Sequence, residues 1–387
     1  MTLELNRLTQ AVRGMAQTLA RQQENCGQLV EQARTWLAEF ADEGPMLQEA
    51  AQGFKAAIPT HEPLDAVVPL PALPERFTVI GADGSQIQPD RHGMALYYLI
   101  NVGSLVYRHG SGQTPEARSV PDLRYRDEDL YEGSLLVAGN LLDVRRDQAE
   151  IEHLAERVEA EPEGLTLALV DGTLLLWVLE NLPTEVRKGK IEEYLEQLER
   201  IRCRGAAVAA FTSRPRYTEV TRLLHLARMG GDLGRAQAEP NPLERVPDRA
   251  VFSFLPPGAR SALFGSPSGI NQTYYREKGH EIYFFYVNVT GEGEEAVVAR
   301  VEVPAWVGDH GGSSLLALVH GGVVAQSRIA GGFPYVLARA DELAYISGPE
   351  RERLQEMVGT ALLAAGLSPA LSPKAYYKSL TRRGRGW

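Results

Sequence analysis

Two features are missing from this sequence, and their absence excludes whole classes of protein. No uninterrupted apolar stretch approaches the roughly 20 residues that a membrane-spanning helix needs, and the first residues lack a basic region followed by an apolar core. Only two cysteines occur, Cys26 and Cys203, and neither has a second Cys or a His at metal-ligand spacing. We therefore expect a cytoplasmic protein with no membrane partner, no structural zinc and no disulfide framework.

An excess of positive charge is also missing. The chain of 387 residues carries a formal net charge of −10, and its pI is near 5.4. Phosphate binding depends on clustered Lys and Arg side chains, so any contact with nucleic acid must be local. One basic cluster lies near the end of the chain and contains Lys374, Lys378, Arg382, Arg383 and Arg385. It predicts either a DNA-contacting tail or a solvated, frayed terminus.

The first part of the chain has a helical pattern. Residues 3–57 are rich in Leu, Ala, Gln, Glu and Arg, with apolar residues at three- and four-residue steps. The sequence therefore predicts a helical arm over residues 1–58, which either dimerises or packs against the rest of the chain. Five prolines follow between residues 59 and 74. They predict a Pro-rich linker over 59–75.

Beyond the linker, strand-like and helix-like segments alternate, which is typical of an α/β core. Strands are predicted at 77–80, 95–102, 165–170, 206–211, 282–289 and 296–303, and helices at 141–160, 174–181, 192–201, 219–228 and from residues 334 and 350. Residues 229–280 are rich in Gly and Pro and predict an irregular insertion beside the site. We treat 76–387 as one domain.

Asp83 is the first candidate for a functional residue. It stands in Gly-Ala-Asp-Gly-Ser, shortly after the strand-like run 77–80. We predict that the strand ends here and that Gly84 turns the backbone, so that the carboxylate projects from the edge of the sheet. An ordinary Asp-Gly hairpin turn is the alternative, but the next predicted strand starts too late for a two-residue loop.

Asp171 repeats this arrangement in Val-Asp-Gly-Thr. A fully apolar strand delivers it directly into a helix-like segment, which is where open α/β sheets commonly place ligand-binding groups. The alternative is a helix N-cap formed by Asp171 or Thr173. Two carboxylates held close together are the usual oxygen ligands of Mg²⁺ or Mn²⁺, and such ions activate water for phosphoryl transfer.

Six motifs follow one another along the chain: Phe77–Gln86, Tyr97–Gly103, Leu169–Thr173, Ser213–Arg216, Ala299–Pro304 and Gly332–Leu337. In this order, over about residues 75–380, they resemble the NurA nuclease family. The resemblance implies a ribonuclease-H-like α/β fold, with a mixed sheet flanked by helices. It also implies Mn²⁺-dependent cleavage of DNA, with 5′-to-3′ exonuclease and single-strand endonuclease activity. The expected partners are DNA, a second copy of the chain and a HerA-type hexameric translocase that acts at DNA ends.

The resemblance also assigns residues. Asp83 and Asp171 match the two metal-binding aspartates of the family, and its glutamate is matched by Glu150, with Glu152 as the competitor. These residues are our candidates for catalysis and for binding of Mn²⁺ or Mg²⁺. For Glu150, an exposed salt bridge to Arg146 one helical turn away is the alternative.

The chain departs from the family pattern at two positions. Gly332-Phe333-Pro334 stands where the family has Gly-Tyr-Pro, so the tyrosine hydroxyl is missing. Asp341 stands where the family has a metal-binding histidine. An aspartate can still bind a hard cation, which would make the ligand set all oxygen. Alternatively, Asp341 faces water in an acidic helix.

Further candidates are predicted to contact DNA. Arg214 and Arg216 follow the strand-like run 206–211 and suit phosphate contacts, and Tyr217 could stack on a base. Lys374 and Lys378 of the basic tail are the other candidates. A surface loop without function is the alternative for residues 214–217.

Two other functions stay open at this point. An actin- or sugar-kinase-like ATPase also has Asp-Gly-Thr triplets at strand ends, but the chain has no recognisable Gly-rich phosphate loop. A non-catalytic DNA-repair adaptor would dock partners through the helical arm, with Phe333 and Asp341 marking a decayed site. Turnover of ATP by the isolated protein would identify the first, and metal binding without DNA cleavage the second.

Overall fold

The structure is a computed structural model that describes residues 5–181, 183–308 and 314–367. Its strands are β1 (Ile58–Pro59), β2 (Phe77–Ile87), β3 (Tyr98–His109), β4 (Glu116–Arg124), β5 (Tyr131–Glu132), β6 (Leu135–Leu136), β7 (Thr166–Asp171), β8 (Ala207–Thr212), β9 (Phe264–Gly265), β10 (Ile282–Asn288) and β11 (Val298–Pro304). Its α-helices are α1 (Thr9–Glu39), α2 (Gly44–Gly53), α3 (Asp127–Leu130), α4 (Asn140–Ala160), α5 (Thr184–Cys203), α6 (Glu219–Arg228), α7 (Leu233–Ala238), α8 (Asp248–Val251), α9 (Ala305–Gly308), α10 (Ser314–Ile329), α11 (Tyr335–Ala344) and α12 (Gly348–Ala364). No helix in this part of the chain is long and apolar enough to cross a membrane.

Two compact units divide the chain. The first comprises Met1–Ala72 and Phe211–His310, and the second comprises Leu73–Ala210 and Gly311–Trp387. The predicted Pro-rich linker spans the first crossing between the units. The other two crossings, after residues 210 and 310, fall inside the segment 76–387, where the composition shows no comparable break.

The second unit is built on a mixed sheet with the strand order β8, β7, β2, β3, β4. Strand β2 runs antiparallel to β3 and parallel to β7, and β3 runs antiparallel to β4. Strands β2 and β7 are almost fully buried in their first halves, whereas most of β4 is exposed because it lies at the edge. This arrangement confirms the predicted mixed α/β sheet.

Helices cover both faces of this sheet. A Cβ atom added to Gly81 or Gly103 would meet the backbone of α11, whereas one added to Gly84 would meet side chains of α4. Because successive side chains of a strand point to opposite faces, α4 and α11 lie on opposite sides of β2. The sheet of this unit is therefore flanked by helices, as predicted.

The structure corrects the predicted surroundings of Asp83. Strand β2 continues to Ile87, so Asp83 lies within the strand and pairs with Gly103 of β3. The predicted turn at Gly84 is wrong because pairing with β3 extends through Ser85 and Gln86. Gly84 is suited to this position because it has no side chain and so leaves room for side chains of α4, and not because it allows a turn.

The first unit contains the second half of the helical arm. Ala33 and Leu37 of α1 are buried in a core together with Leu47 of α2 and residues of α6 and α8. In the same unit, β10 runs antiparallel to both β11 and β9. The segment 229–280, for which the sequence predicts irregular structure, contains α7, α8 and β9 and buries Phe252 and Phe264.

Residues 7–18, at the beginning of the arm, are exposed. Leu8, in the 3-10 turn before α1, and Val12 and Met15 of α1 follow one another at helical spacing, with 42% to 57% of each residue accessible to solvent. Intramolecular packing therefore accounts for the second half of the arm in this structure. The exposed stripe of Leu8, Val12 and Met15 is available to a partner, and dimerisation stays a prediction.

Candidate active site

The two strand aspartates lie side by side. Strands β2 and β7 pair in parallel register from Thr78 opposite Thr166 to Ala82 opposite Val170. Asp83 and Asp171 are the next residues on each strand, so the sheet itself juxtaposes their backbones. The chain leaves β7 at Gly172 with φ 99°, a conformation that favours glycine.

Asp171 does not begin a helix. A turn follows β7, and the predicted helix 174–181 is confined to a 3-10 turn at Trp177–Asn181. The hydroxyl of Thr173 accepts a hydrogen bond from the Leu175 N–H at 3.0 Å, so Thr173 stabilises this turn. The N-cap alternative for Asp171 is therefore wrong.

Glu150 reaches the same place from α4. It is 5% exposed, whereas Glu152 points to solvent. Its Oε1 atom lies 3.1 Å from Nε of Arg146, yet it has no hydrogen-bond partner with acceptable geometry among the described residues. A Cβ atom on Gly84 would lie only 2.5 Å from this Oε1 atom. Gly84 thus makes room for Glu150 beside Asp83.

Asp341 approaches from the opposite face of the sheet. It lies in the last turn of α11 and is solvent-exposed. Its carboxyl group nevertheless lies close enough to those of Asp83 and Asp171 for its negative charge to raise the pKa of both. The structure therefore brings all four predicted carboxyl groups into one neighbourhood.

Crowding of these carboxyl groups makes it costly to ionise them together. Burial, with smaller contributions from the charges of Asp171 and Asp341, raises the pKa of Asp83 to about 6. Burial and the charge of Asp341 also raise the pKa of Asp171. For Glu150, burial and then the charge of Asp147 raise the pKa well above its usual range. Each group would ionise more readily beside a cation.

The chemistry of the donors fits a hard divalent cation. All four groups offer carboxylate oxygens, which Mg²⁺ and Mn²⁺ prefer. Glu150 Oε1 is a buried acceptor without a hydrogen-bond partner in the described ranges. Within those same ranges, no three Asp, Glu, His or Cys side chains are already grouped closely enough to hold one ion. The residues therefore match the cation in chemistry, and binding would draw them together.

Three polar residues near the site were not among the sequence-based candidates. On α4, Asp143 and Asp147 precede Glu150 by seven and three residues, so all three share one helical stripe. Gln86 of β2 donates to Asp143 at 2.6 Å, and Asp147 pairs with Arg146 at 2.9 Å. Burial raises the pKa of Asp147 as well. The helical spacing of these acids was the signal that could have identified them.

The predicted DNA contacts lie in the first unit or outside the described residues. Arg214 and Arg216 are exposed, and Arg214 has a positive φ of 49°, which is uncommon for a residue other than glycine. The guanidinium of Arg300 lies 4.0 Å from the centre of the Tyr217 ring and covers one of its faces. A base could therefore stack only on the other face. Lys374 and Lys378 fall outside the described residues.

Arg300 explains why Tyr217 is held in this way. It is fully buried on β11, donates to Glu302 at 3.0 Å and to Glu219, and lies over the ring of Phe284 as well. Glu302 is thereby bound to Arg300 within the first unit. We regard this buried cluster as structural.

Comparison with known proteins gives consistent results. The NurA domain family matches residues 77–346. The crystal structure of the NurA nuclease from Sulfolobus solfataricus is similar with a TM-score of 0.50 at 14% sequence identity, covering 92% of this chain and 98% of that chain. A structure of NurA bound to dAMP and manganese has a TM-score of 0.38 at 13% identity, covering 77% of this chain and 90% of that one. No curated protein matches the sequence. The first likeness confirms the fold predicted from the motifs.

Proposed function

Since the chain belongs to the NurA family of nucleases, with the domain at residues 77–346, we propose that it is a divalent-cation-dependent deoxyribonuclease. The observation that carries this proposal is the convergence of four carboxyl groups from three directions. Asp83 and Asp171 come from adjacent strands, Glu150 from a helix on one face of the sheet, and Asp341 from a helix on the other. The reaction is hydrolysis of phosphodiester bonds in DNA.

The carboxylates would hold Mn²⁺, and Mg²⁺ as the second choice, through oxygen atoms alone. When bound, the cation supplies activation of the attacking water and neutralises charge on the phosphoryl group. Asp83 and Asp171 would hold the cation through carboxylates that are carried on adjacent, paired strands. Glu150 and Asp341 would supply the other two carboxylates, from helices on opposite faces of the sheet.

The raised pKa values indicate which carboxyl groups of the site bind protons when no cation is present. In the cation-free protein, burial raises the pKa of Glu150 well above its usual range, which favours the protonated form of this group. Asp83, with its pKa near 6, is partly protonated in mildly acidic solution. Cation binding must therefore release protons from the site. Arg146 lies beside Glu150, and its charge also acts on Asp171, so it offers positive charge to an incoming phosphate.

The finer parts of the proposal rest on the family resemblance. We propose 5′-to-3′ exonuclease activity, single-strand endonuclease activity, and work at DNA ends with a HerA-type hexameric translocase. Exposed Arg214 and Arg216 support contacts with the phosphate backbone, to which we add Lys374 and Lys378. The exposed stripe of Leu8, Val12 and Met15 supports dimerisation through the arm.

The test compares two glutamates on one helix. Glu150→Gln should lower Mn²⁺-dependent degradation of linear DNA by about a hundredfold or more, the order of effect seen when one electrostatic group is removed from an active site. Glu152→Gln is the matched control, because this residue lies two positions away and faces solvent. Asp83→Ala should abolish the activity, and circular dichroism should show that the variant is folded.

Two results would contradict the proposal. Undiminished cleavage by folded Asp83→Ala would remove Asp83 from the active site. Wild-type protein that binds Mn²⁺ but cleaves neither single- nor double-stranded DNA would support the adaptor function instead.

A further inference from the structure

We propose that Asn101 and Ser85 are positioning residues, which hold the last turn of α11 so that Asp341 stands beside Asp83. The inference rests on the proposed function and identifies how this chain supports its unusual fourth carboxylate. Neither residue belongs to the predicted ligand set. Both act on the backbone of the helix that carries Asp341.

The last carbonyl groups of a helix have no partner within the helix. In α11, the side-chain amide of Asn101 donates to the carbonyl oxygens of Leu343 at 3.2 Å and of Ala344 at 2.9 Å. The Ser85 hydroxyl donates to the Ala344 oxygen as well. Two side chains of the sheet thus tie down the end of the helix.

The amide of Asn101 is itself fixed in orientation. Its Oδ1 atom accepts a hydrogen bond from the hydroxyl of Ser119 on β4 at 3.0 Å. This contact leaves the NH₂ group to face the carbonyls of α11. Asn101 is 8% exposed, so water competes little for either end of the amide. The chain of contacts from β4 through β3 to α11 is continuous.

We call the side chains of Asn101 and Ser85, which hold the end of α11, the clamp. The clamp and Asp83 lie on the same face of the sheet. Ser85 pairs with Asn101, and Asp83 pairs with Gly103, on the neighbouring strands β2 and β3. A Cβ atom on Gly103 would lie 2.3 Å from the carbonyl oxygen of Ala340. The helix backbone therefore rests directly on β3 at the residue before Asp341. A shift of the helix end would move the Asp341 carboxylate with it.

Two electrostatic effects disfavour a carboxylate at the position of Asp341. The last turn of a helix carries partial negative charge, which disfavours a carboxylate there. Asp83 and Asp171 repel the Asp341 carboxylate when they are ionised. The hydrogen bonds that Asn101 and Ser85 donate to the Leu343 and Ala344 oxygens oppose both effects, because they hold the last turn of α11 against the sheet.

A double-mutant cycle on Mn²⁺ binding tests the proposal. Calorimetric titration of full-length Asn101→Ala with Mn²⁺ should give an affinity about tenfold lower than that of the wild type, the effect typical of losing a group that orients a metal ligand. In an Asp341→Asn background the same substitution should have no further effect, because the clamp acts through Asp341. Ser85→Ala is the smaller, second variant.

Asn288→Ala provides the matched control. Asn288 is also a buried asparagine; its amide donates to the Leu255 oxygen at 2.8 Å and its Oδ1 accepts from Thr290 at 2.6 Å, within the other unit. It should lower the melting temperature without changing the Mn²⁺ affinity.

The outcomes separate this inference from the proposed function. Wild-type affinity in both Asn101→Ala and Ser85→Ala, or effects of Asn101→Ala and Asp341→Asn that multiply, would overturn the positioning role. Wild-type protein that binds Mn²⁺ without cleaving DNA would overturn the nuclease function alone, since the cycle still measures the clamp. Absence of Mn²⁺ binding by the wild type would overturn both.

Discussion

Buried carboxyl groups in this protein fall into two kinds according to their partners. Glu161 accepts two hydrogen bonds from Arg108, at 2.7 and 2.5 Å. Asp248 accepts from the backbone N–H groups of Val220 and Thr221 and from the Tyr286 hydroxyl. Glu150, by contrast, keeps one oxygen without a hydrogen bond to any described residue. This unsatisfied oxygen, more than burial itself, sets Glu150 apart from Glu161 and Asp248 and supports its proposed role as a cation ligand.

The structural carboxyl group of Asp248 predicts that the stability of the protein depends on pH. Burial raises the pKa of Asp248 from 3.8 to about 6, in spite of its hydrogen bonds. The folded protein therefore binds this proton more tightly than the unfolded chain, so the contribution of Asp248 to stability increases as pH falls through about 6 and levels off below the unfolded value. We expect Asp248→Asn to lose this component. Urea unfolding between about pH 8 and about pH 4 should show a smaller gain on acidification for the variant than for the wild type. Parallel curves would contradict the assignment.

At the level of elements, α11 depends on glycines in the strands beneath it. A Cβ atom on Gly81 would lie 2.8 Å from the backbone of Val336, and one on Gly103 even closer to Ala340. Gln326 of α10 accepts the Val336 N–H at 3.1 Å and so anchors the first turn of the helix. Close backbone contact, and not a thick apolar layer, fixes the height of α11 above the sheet.

Two glycine substitutions should therefore have opposite effects. Gly103→Ala forces the Ala340 carbonyl to move and should lower the free energy of unfolding by roughly 1–3 kcal/mol, the usual cost of overpacking. Gly189→Ala lies inside α5, where the added Cβ would meet no described atom within 4 Å apart from its chain neighbours and the backbone of its own helix. This substitution should raise the free energy of unfolding by about 0.5–1 kcal/mol through helix propensity. Thermal melting in the presence of EDTA measures both. Equal melting temperatures for the two variants would show that α11 can shift away from β3 without loss of stability.

The elements that sequence patterns identified are those with a clear period. Helix α4 and the pair β10 and β11 lie where the apolar spacing predicted them. Strand β4 was missed, because its alternating charges and Pro121 give an edge strand no apolar signal. Helix α10 was missed as well: it contains Gly321 and Gly322, which are poor helix formers but lie against Leu73 and Leu167, where larger residues would not fit.

The site was predictable in part for a similar reason. Asp83 and Asp171 end apolar runs, and parallel strands bring such positions together, so local pattern suffices for the pair. Asp341 lies far along the chain and could be assigned only through the family motif. Asn101 and Ser85 carry no signal in the sequence, because their function depends on where α11 ends in space.

For the molecule as a whole, the net charge of −10 makes DNA binding depend on a few local cations. We expect Lys374→Ala with Lys378→Ala, in the inactive Asp83→Ala background, to reduce the slope of log affinity against log salt by about 0.7–0.9 for each phosphate that these lysines neutralise. Fluorescence anisotropy across a salt series measures this slope. The control is Lys188→Ala with Lys278→Ala, which removes the same charge from exposed positions elsewhere. Equal slopes for the two pairs would contradict a DNA-binding tail.

The scarcity of cysteine has a practical consequence for studying the two units. Cys26 is a free, partly buried thiol in the first unit, and Cys203 is a free, exposed thiol at the end of α5 in the second. The natural sequence therefore provides one attachment point for a spin label or fluorophore in each unit. A label on each cysteine would report on its own unit separately when Mn²⁺ and DNA are added.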